Sequence, residues 1–427
     1  MASLVERLQR SEHWPAEQLR DSQLEQLRAL LVHAVTRSPL HRQRLGLTPQ
    51  AAARIDWPAW RALPTLPRPV LQRQLDALRA RTVPAAHGTL LSHSTTGSTG
   101  HPLSVVATQW CQFVYGALTL REHRWHRRDP SGRLLVVRAK GQEGDYPDWG
   151  VPVAELHATG PLRIVSLKHS VREQLRHIAQ FDPHYLLTYA SNAHALAVEA
   201  MAHGVRLPSL REVRVFAELP RPDLTAMVQR AFGATCQDVY SAEETGPIAA
   251  QCPQHGSYHV HAESVLVEIL DEHGHACAPG QLGQVVVTAL HNFATPLLRY
   301  ELGDFAAIGG PCACGLTLPV LARIAGRSRN MLLFPDGSRR WPAFPGAIWL
   351  QFPAIRQVQL VQTAIDTVEV RMEADRDLDQ AESDRLCCDL RERLGWPYAL
   401  HLRRVECIRP PGVYKMEDFL NLVEPQA

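Results

Sequence analysis

The sequence predicts an α/β protein with a large N-terminal domain that contains parallel sheet and a small C-terminal α+β domain. Three observations predict this fold class. Strand-like and helix-like segments alternate from residue 134 to 233, two strand-like runs flank a turn-rich stretch at 264–290, and a β-β-α-β order follows residue 327. Such alternation is typical of βαβ units and parallel sheet. We therefore expect a domain of residues 1–326 and a small domain of residues 327–427.

Apolar residues with a helical period predict the first clear helix, and Asp21-Ser22 offers an N-cap for it. The apolar positions are Leu24, Leu27, Leu31 and Val35. Two later helices are predicted at residues 192–204 and 222–233, because each pattern ends at a glycine, Gly204 or Gly233.

Strands are predicted from short apolar runs rich in β-branched residues. In the first domain these runs are 134–140 and 213–218, followed by the two runs that flank the turn-rich stretch. The second domain offers strands at 355–363, 367–374 and 401–408 and, between the last two, a helix at 380–394. Leucines at 386, 390 and 394 have helical spacing and predict the face of that helix that packs on the sheet.

Composition and charge exclude several classes of protein. The 427 residues include 45 Lys and Arg against 43 Asp and Glu, and a net charge of +2 does not favour nucleic acid or a membrane surface as a partner. Glu6, Arg7 and Arg10 interrupt the apolar run that a signal peptide needs, and no apolar run is long enough to cross a bilayer. Nine cysteines, an odd number, fit a reduced chain. We expect a soluble cytoplasmic protein.

Residues 95–100, which are all Ser, Thr or Gly and are followed by His101-Pro102, form the most informative segment. Its glycines permit positive φ and close approach to a ligand, and its hydroxyl and N–H groups can donate to several phosphate oxygens. The Gly-Lys-Ser/Thr of a P-loop is absent, so a different phosphate-binding loop and a flexible polar turn both remain open. The six residues are Thr95, Thr96, Gly97, Ser98, Thr99 and Gly100.

Three further segments follow in order: residues 240–246, 298–304 and 323–327. Alone, they could be surface carboxylates, an Arg–Asp surface pair and a basic turn. In their order and spacing, the four segments resemble the adenylate-forming ligase superfamily and, within it, the phenylacetate–CoA ligase branch. The resemblance covers nearly the whole chain, since residues 27–45 are similar to the opening helix of that branch.

The resemblance implies an activity. Enzymes of this family join a carboxylic acid to ATP, release pyrophosphate and hold an acyl-adenylate, from which a thiol, usually that of CoA, displaces AMP. The branch favours aromatic acids and often forms homodimers, and residues 189–194 would border the acid pocket. Transfer to a carrier protein's phosphopantetheine or to an amine stays open.

The resemblance also implies roles for individual residues. The loop of residues 95–100 would bind the β- and γ-phosphates of ATP, and Glu244 would help to hold Mg²⁺, a hard cation that prefers oxygen ligands. Tyr240 would lie beside the adenine together with the turn that contains Glu218. Asp304 would accept hydrogen bonds from the ribose hydroxyls.

Two basic residues complete the implied catalytic set. Arg327 stands where the hinge of the family's mobile C-terminal domain begins, although an Arg at the end of a helix or a strand is the alternative interpretation. Lys415 is the candidate for the C-terminal lysine that bridges the substrate carboxylate and the α-phosphate, and a solvated lysine is its alternative. A mobile ammonium suits this task because it carries a compact charge on a flexible stem.

The chain departs from the family pattern in three places. His101 stands where the family usually has Lys, Ser241 replaces an expected glycine, and residues 328–330 read Ser-Arg-Asn where two acidic residues are common. These departures keep open a non-catalytic protein that binds nucleotide or acyl groups.

Two cysteine clusters predict a structural zinc site. Cys252 and His259 form the first cluster, and Cys312 and Cys314 follow about 53 residues after the histidine in the second. Tetrahedral Zn²⁺ is bound by four such ligands, often supplied by two short knuckles. His255 is the alternative histidine ligand, and unpaired buried cysteines are the alternative interpretation. Some members of the resembled branch carry zinc in this region.

Overall fold

The computed structural model describes residues 1–94, 104–342, 351–408 and 415–423. It confirms the α/β class. The helices are α1 (Ala2–Ser11), α2 (Ala16–Arg37), α3 (Pro39–Leu45), α4 (Pro49–Ala53), α5 (Trp57–Ala62), α6 (Arg68–Arg73), α7 (Leu75–Leu78), α8 (Gln109–Trp125), α9 (Val171–Phe181), α10 (Ala190–His203), α11 (Leu224–Phe232) and α12 (Gln380–Leu394).

The strands follow the same chain order. They are β1 (Leu90–Ser94), β2 (Ser104–Thr108), β3 (Leu134–Arg138), β4 (Gly144–Tyr146), β5 (Leu162–Ser166), β6 (Tyr185–Tyr189), β7 (Glu212–Phe216), β8 (Thr235–Ala242), β9 (Gly246–Gln251), β10 (Tyr258–Val260), β11 (Val265–Leu270), β12 (Leu282–Ala289), β13 (Tyr300–Ile308), β14 (Val320–Arg327), β15 (Leu332–Leu333), β16 (Arg339–Arg340), β17 (Ile355–Ala364), β18 (Thr367–Ala374), β19 (Ala399–Arg404) and β20 (Phe419–Asn421).

The chain divides into two compact units whose segments alternate along the sequence. Unit 1 comprises Met1–Gly132, Tyr146–Pro161 and Asp238–Ile324, and unit 2 comprises Arg133–Asp145, Leu162–Gln237 and Ala325–Ala427. The expected boundary between residues 326 and 327 stays a prediction.

Unit 1 is built on mostly antiparallel strands. Its neighbouring strands follow the order β11-β12-β13-β14-β10-β9-β8, and β8, β9 and β10 pair antiparallel in sequence. Its largest core lies among these strands and includes Ile248, Val285 and Tyr300. A second core joins α2 to the short helices α4 and α5 around the buried Trp60. The hairpin of β1 and β2 encloses residues 95–103, which lie outside the described residues.

Unit 2 contains the predicted parallel sheet. Strands β7, β6, β3 and β5 lie side by side in that order, and each pairs in parallel with its neighbour. Helices α9, α10 and α11 contribute to one core with this sheet. Residues from 332 onward form a separate core, in which α12 packs through its three leucines against a sheet of order β19-β18-β17-β20.

The predicted elements match the observed ones in type and order. The left-handed φ of Gly204 and Gly233 ends α10 and α11 where the sequence predicts. One detail is wrong: Asp21-Ser22 does not cap a helix, because α2 begins at Ala16 and runs through both residues. The apolar face of α2 already starts at Leu19, which is buried. None of the described helices is long and apolar enough to span a membrane.

Candidate functional site

The turn between β8 and β9 carries Glu244 into the interior of unit 1. The Glu244 side chain is buried, and its Oε1 accepts a hydrogen bond of 2.7 Å from Arg68 Nη1. The same Arg68 nitrogen donates to the hydroxyl of Tyr300 on β13 at 3.0 Å. A buried carboxylate is stable only with such partners. Arg68 therefore compensates the charge of Glu244.

Packing behind this turn requires a glycine. Gly246 has φ +79°, and a Cβ added there would lie 2.3 Å from Cζ of Tyr115. The hydroxyl of Tyr115 donates to the carbonyl of Thr245 at 2.9 Å. The ring of Tyr115 thus packs closely on Gly246, and its hydroxyl fixes the main chain next to Glu244.

Tyr240 and Asp304 meet in the same unit. Tyr240 on β8 donates its hydroxyl proton to Oδ2 of Asp304 on β13, with 2.8 Å between the oxygens, and both residues are buried. Sequence reasoning named both residues, and the structure brings them into direct contact. The adenine and ribose roles expected for them stay predictions.

Glu218 occupies the turn after β7 in unit 2. Its Oε2 accepts from the main-chain N–H of Ser191 at 2.8 Å, and its Oε1 accepts from that of Met416 at 2.6 Å. Loss of hydration raises the pKa of Glu218, and these two donors oppose the shift. Ala217 before it has φ +69°, a left-handed conformation that turns the chain sharply.

An ion pair involves Arg221, three residues after Glu218 in the sequence. Nε and Nη2 of Arg221 donate to the two carboxylate oxygens of Asp418, each at 2.7 Å. Nδ1 of His194 lies 3.4 Å from Nη1 of Arg221. Burial, followed by the charge of Arg221, lowers the pKa of His194 to about 4, so its ring is neutral near neutral pH.

Two aromatic rings stand at the carboxyl ends of adjacent parallel strands. Tyr189 ends β6 and Phe216 ends β7, and their ring centroids are 4.8 Å apart. Ligands of α/β sheets bind at this edge. These partly buried rings therefore offer an apolar wall beside Glu218, and Tyr189 is the first residue of the segment 189–194 that the resemblance assigns to the acid pocket.

The two predicted basic residues both lie in unit 2. Lys415 directly precedes Met416 and is partly buried. Arg327 ends β14, and its carbonyl accepts from Nε1 of Trp341 at 3.0 Å. The predicted phosphate loop, residues 95–100, and His101 lie outside the described residues. The structure therefore groups the candidates as Glu244, Tyr240 and Asp304 in unit 1 and Glu218, Arg327 and Lys415 in unit 2.

Sequence reasoning missed Arg68, Arg221 and Asp418. Arg68 lies 176 residues before Glu244, and Arg221 lies 197 residues before Asp418. No periodicity or spacing links such distant residues. A weak signal existed only for Asp418, which stands three residues after the predicted Lys415.

The four predicted metal ligands come together in unit 1. Ligand atoms of Cys252, His259, Cys312 and Cys314 all lie within 4.8 Å of one another. The sulfurs of Cys252 and Cys312 are 3.8 Å apart, too far for a disulfide, and Nε2 of His259 lies 3.2 Å from the sulfur of Cys314. Zn–S bonds of about 2.3 Å at tetrahedral angles give a sulfur–sulfur edge of roughly 3.8 Å. The group fits Zn²⁺.

The alternative ligand His255 and the nearby His261 both lie outside this group. His255 is exposed and outside the group, and Nδ1 of His261 lies 2.6 Å from Nη2 of Arg121. Burial, followed by the charge of Arg121, lowers the pKa of His259 to about 4. Its neutral ring can therefore offer a nitrogen lone pair near neutral pH.

Comparisons with known proteins agree with this architecture. No family model matches the chain. The chain is 27% identical over 417 residues to a phenylacetate-coenzyme A ligase of Thermus thermophilus, covering 89% of each chain, and 26% identical over 381 residues to a phenylacetate-coenzyme A ligase of Pseudomonas putida, covering 83% of this chain and 82% of the relative.

Similarity in fold is also extensive. A crystal structure of 2-hydroxyisobutyryl-CoA ligase in the postadenylation state superimposes with a TM-score of 0.77 at 18% identity, covering 96% of this chain and 91% of the other. Over most of its length the chain is thus similar in sequence to phenylacetate-coenzyme A ligases and in fold to a CoA ligase.

Proposed function

We propose that this protein activates a carboxylic acid with ATP and transfers the acyl group to CoA. The observation that carries the proposal is the similarity, over 89% of both chains, to a relative named as a phenylacetate-coenzyme A ligase. In the first step a carboxylate oxygen of the acid attacks the α-phosphorus of ATP, and pyrophosphate leaves with the electrons of the broken P–O bond. In the second step the CoA thiolate attacks the acyl carbon, and AMP leaves as the C–O bond breaks.

The described side chains suit this chemistry. Asp304 would accept from the ribose hydroxyls beside Tyr240, and Glu218 would stand in the adenine turn. Glu244 would help to hold Mg²⁺, which supplies charge neutralisation on phosphate oxygens when bound. Its hydrogen bond to Arg68 must then be shared or exchanged. Lys415 would place a positive charge between two anions, the acid and the α-phosphate, where repulsion opposes reaction.

An aromatic acid is the proposed substrate class. The wall formed by Tyr189 and Phe216 supports it, because aromatic rings pack favourably against one another at such distances. The names of the two sequence relatives also support it. Pocket shape sets the preference among such acids.

The test is ATP–pyrophosphate exchange by the purified chain with phenylacetate, benzoate or 2-hydroxyisobutyrate, followed by thioester analysis with CoA and with a phosphopantetheinylated carrier protein. We expect exchange that depends on an aromatic acid, and thioester only with CoA. Thioester only on the carrier would favour the alternative acceptor. ATP binding without exchange for any acid would favour a non-catalytic protein, and absence of both would contradict the proposal.

Matched variants assign the site residues. Glu244→Gln and Lys415→Ala are each expected to lower exchange about 100-fold or more. Glu243→Gln is the control for Glu244→Gln, and Lys168→Ala is the control for Lys415→Ala. Both control residues are exposed, and both substitutions are expected to leave exchange unchanged. Equal activity of Glu244→Gln and Glu243→Gln would remove Glu244 from the site.

We also propose that Cys252, His259, Cys312 and Cys314 hold a structural Zn²⁺ ion. The approach of their ligand atoms supports this proposal. Metal analysis is expected to find about one zinc per chain and almost none in Cys312→Ser, with a lower unfolding temperature, because a structural zinc contributes folding energy. The exposed Cys407 offers a control, Cys407→Ser, that should keep its zinc. A full zinc content in Cys312→Ser would refute the assignment.

A cytoplasmic location is proposed because nine cysteines, an odd number, fit a reduced chain, and three of them are proposed zinc ligands. Homodimer formation stays a prediction, which sedimentation of the purified chain tests.

A further inference from the structure

Residues 415–418 form a short connection that is held from two sides within unit 2. On one side, Glu218 accepts from the N–H of Met416 and Arg221 binds Asp418 through two hydrogen bonds. On the other side, the carboxylate of Glu417 pairs with Arg329. Three consecutive residues directly after Lys415 therefore have defined partners: Met416 through its main-chain N–H, and Glu417 and Asp418 through their side chains.

The main chain of this connection is also bound. The N–H of Leu360 donates to the carbonyl of Asp418 at 2.9 Å, and Nε2 of Gln359 donates to the carbonyl of Glu417 at 3.0 Å. From Phe419 the chain continues as β20, which pairs in parallel with β17. The connection thus has little freedom to shift along its own direction.

The partners on the first side belong to a different core. Glu218 and Arg221 follow β7, whose core is formed by residues of the parallel sheet and α9–α11. Phe419 belongs to the C-terminal core. The contacts of Glu218 and Arg221 with residues 416–418 therefore join two cores through hydrogen bonds and an ion pair.

The Arg221–Asp418 pair has the geometry of a strong interaction. Both hydrogen bonds are 2.7 Å, and the side chains are 14% and 32% exposed. A bidentate guanidinium–carboxylate pair restrains orientation as well as distance. Removing either partner would take away this orientational restraint three residues after Lys415, while the main-chain bonds of Glu417 and Asp418 remain.

We propose that Arg221 and Asp418 are positioning residues that fix the main chain beside Lys415 for the acid-activation step. The inference rests on the proposed function, in which Lys415 acts on the acid and the α-phosphate. Neither Arg221 nor Asp418 needs to touch the substrate, because each acts by holding the connection. The pair matters in the step that uses Lys415, and the transfer of an acyl group from a finished adenylate to CoA does not need it.

The test separates the two half-reactions in Asp418→Asn and Arg221→Gln. Phenylacetate-dependent ATP–pyrophosphate exchange is expected to fall about 10- to 100-fold, since small displacements of a catalytic group have effects of this size. Thioester formation from synthetic phenylacetyl-AMP and CoA is expected to stay within about twofold of the wild type. An equal fall in both half-reactions would indicate a general structural role and overturn the proposal.

A matched control uses the pair Arg163–Asp145, which has two hydrogen bonds of 2.6 and 2.8 Å in the same unit. Asp145→Asn is expected to leave both half-reactions unchanged. Hydrogen–deuterium exchange adds a readout that needs no turnover: the Met416 amide should exchange faster in Asp418→Asn than in the wild type or in Asp145→Asn. Unchanged protection would count against the proposal.

A double-mutant cycle shows whether Asp418 acts through Lys415. On the Lys415→Ala background, Asp418→Asn is expected to lower residual exchange by less than about twofold, because the group that it positions is absent. Independent, multiplying effects would overturn the inference. If the wild type exchanges pyrophosphate with none of the acids, the proposed function fails. If the wild type is active and Asp418→Asn is equally active, the inference alone fails.

Discussion

The two units hold their charged residues in different ways. In unit 1, Arg68 donates to the buried Glu244, and Tyr240 donates to the buried Asp304. Both hydrogen bonds lie beside the same hydrophobic core. In unit 2, Arg221 follows a strand of one core and binds Asp418 at the edge of another. Loss of a contact in unit 1 therefore acts on the stability of one core. Loss of a contact in unit 2 can leave both cores folded.

This comparison also accounts for one departure from the family pattern. Arg329 and Asn330 stand where acidic residues are common in the family. Arg329 pairs with Glu417, and Nδ2 of Asn330 donates to the carbonyl of Phe419 at 2.5 Å. Acidic residues at these positions could not make these contacts with a carboxylate and a carbonyl. The change after Arg327 is thus matched by the chain that follows Lys415.

The largest effect is expected for Gly246→Ala, next to the Glu244 turn. The substitution combines a left-handed backbone with overlap on Tyr115, and we expect the free energy of unfolding to fall by about 3 kcal/mol. Gly274→Ala is the matched control, because Gly274 has the same φ of +79° but nothing within 4 Å of an added Cβ. In urea unfolding, the control should lose about 1 kcal/mol of the free energy of unfolding. Equal losses would mean that the ring does not restrain the turn.

Arg68→Ala is expected to have the next largest effect on stability, about 2 kcal/mol, because it leaves the buried Glu244 carboxylate without its cation. Arg221→Ala removes a more exposed pair, and the expected loss is only about 1 kcal/mol. Thermal unfolding of both variants measures the difference. Arg73→Ala, an exposed arginine of the same helix as Arg68, serves as the control. A larger loss for Arg221→Ala would reverse the comparison.

The pH dependence of stability distinguishes a histidine of each unit. Burial, followed by the charge of Arg44, lowers the pKa of His41 to about 3, and the pKa of His194 lies at about 4. Below pH 6.5 these two histidines are protonated in the unfolded chain but stay neutral in the folded chain. The free energy of unfolding therefore falls as the pH falls. Each histidine contributes at most about 1.4 kcal/mol per pH unit.

The two variants should differ in acid. His41→Asn is expected to flatten the curve from pH 6.5 down to about 3, whereas His194→Asn should flatten it only to about 4. Urea unfolding between pH 3.5 and 7 measures both slopes. Wild-type slopes in both variants would show that neither ring is neutral in the folded protein.

The smallest effect is expected for Tyr240→Phe, which removes one hydrogen bond to Asp304 at a cost of about 1 kcal/mol. Tyr258→Phe removes an equivalent buried bond, of 2.7 Å, to Asp238. Both variants should lose similar stability. Only Tyr240→Phe should raise KM for ATP, because only Asp304 is proposed to bind the ribose. A rise in both, or in neither, would detach the Tyr240–Asp304 pair from nucleotide binding.

Local patterns were sufficient for most of the fold. Helix α12 spans the predicted residues 380–394, and the alternating segments before residue 237 form a parallel sheet with helices. Hydrophobic periodicity and glycine stops depend on neighbouring residues alone, which is why they are readable in the sequence. The predicted start of α2 is wrong because Asp and Ser are common N-cap residues. The structure starts the helix at Ala16, which places the buried Leu19 within it.

The metal group shows where local reasoning needs the fold. The sequence predicts two clusters, and strand order unites them, since β10 lies between β9, which precedes Cys252, and β14, which follows Cys314. The spacing of ligands within one cluster can be predicted from neighbouring residues. The distance between the two clusters depends on how the strands pair.

The amino-acid order by itself determined the fold class, the family resemblance and the residue types of the candidate site, because motifs and periodicity act over a few neighbouring positions. Only the tertiary structure decided that Arg68 compensates Glu244 and that Arg221 binds Asp418. Coulombic and hydrogen-bond energies depend on distance in space, and residues nearly 200 positions apart become neighbours only after the strands have paired.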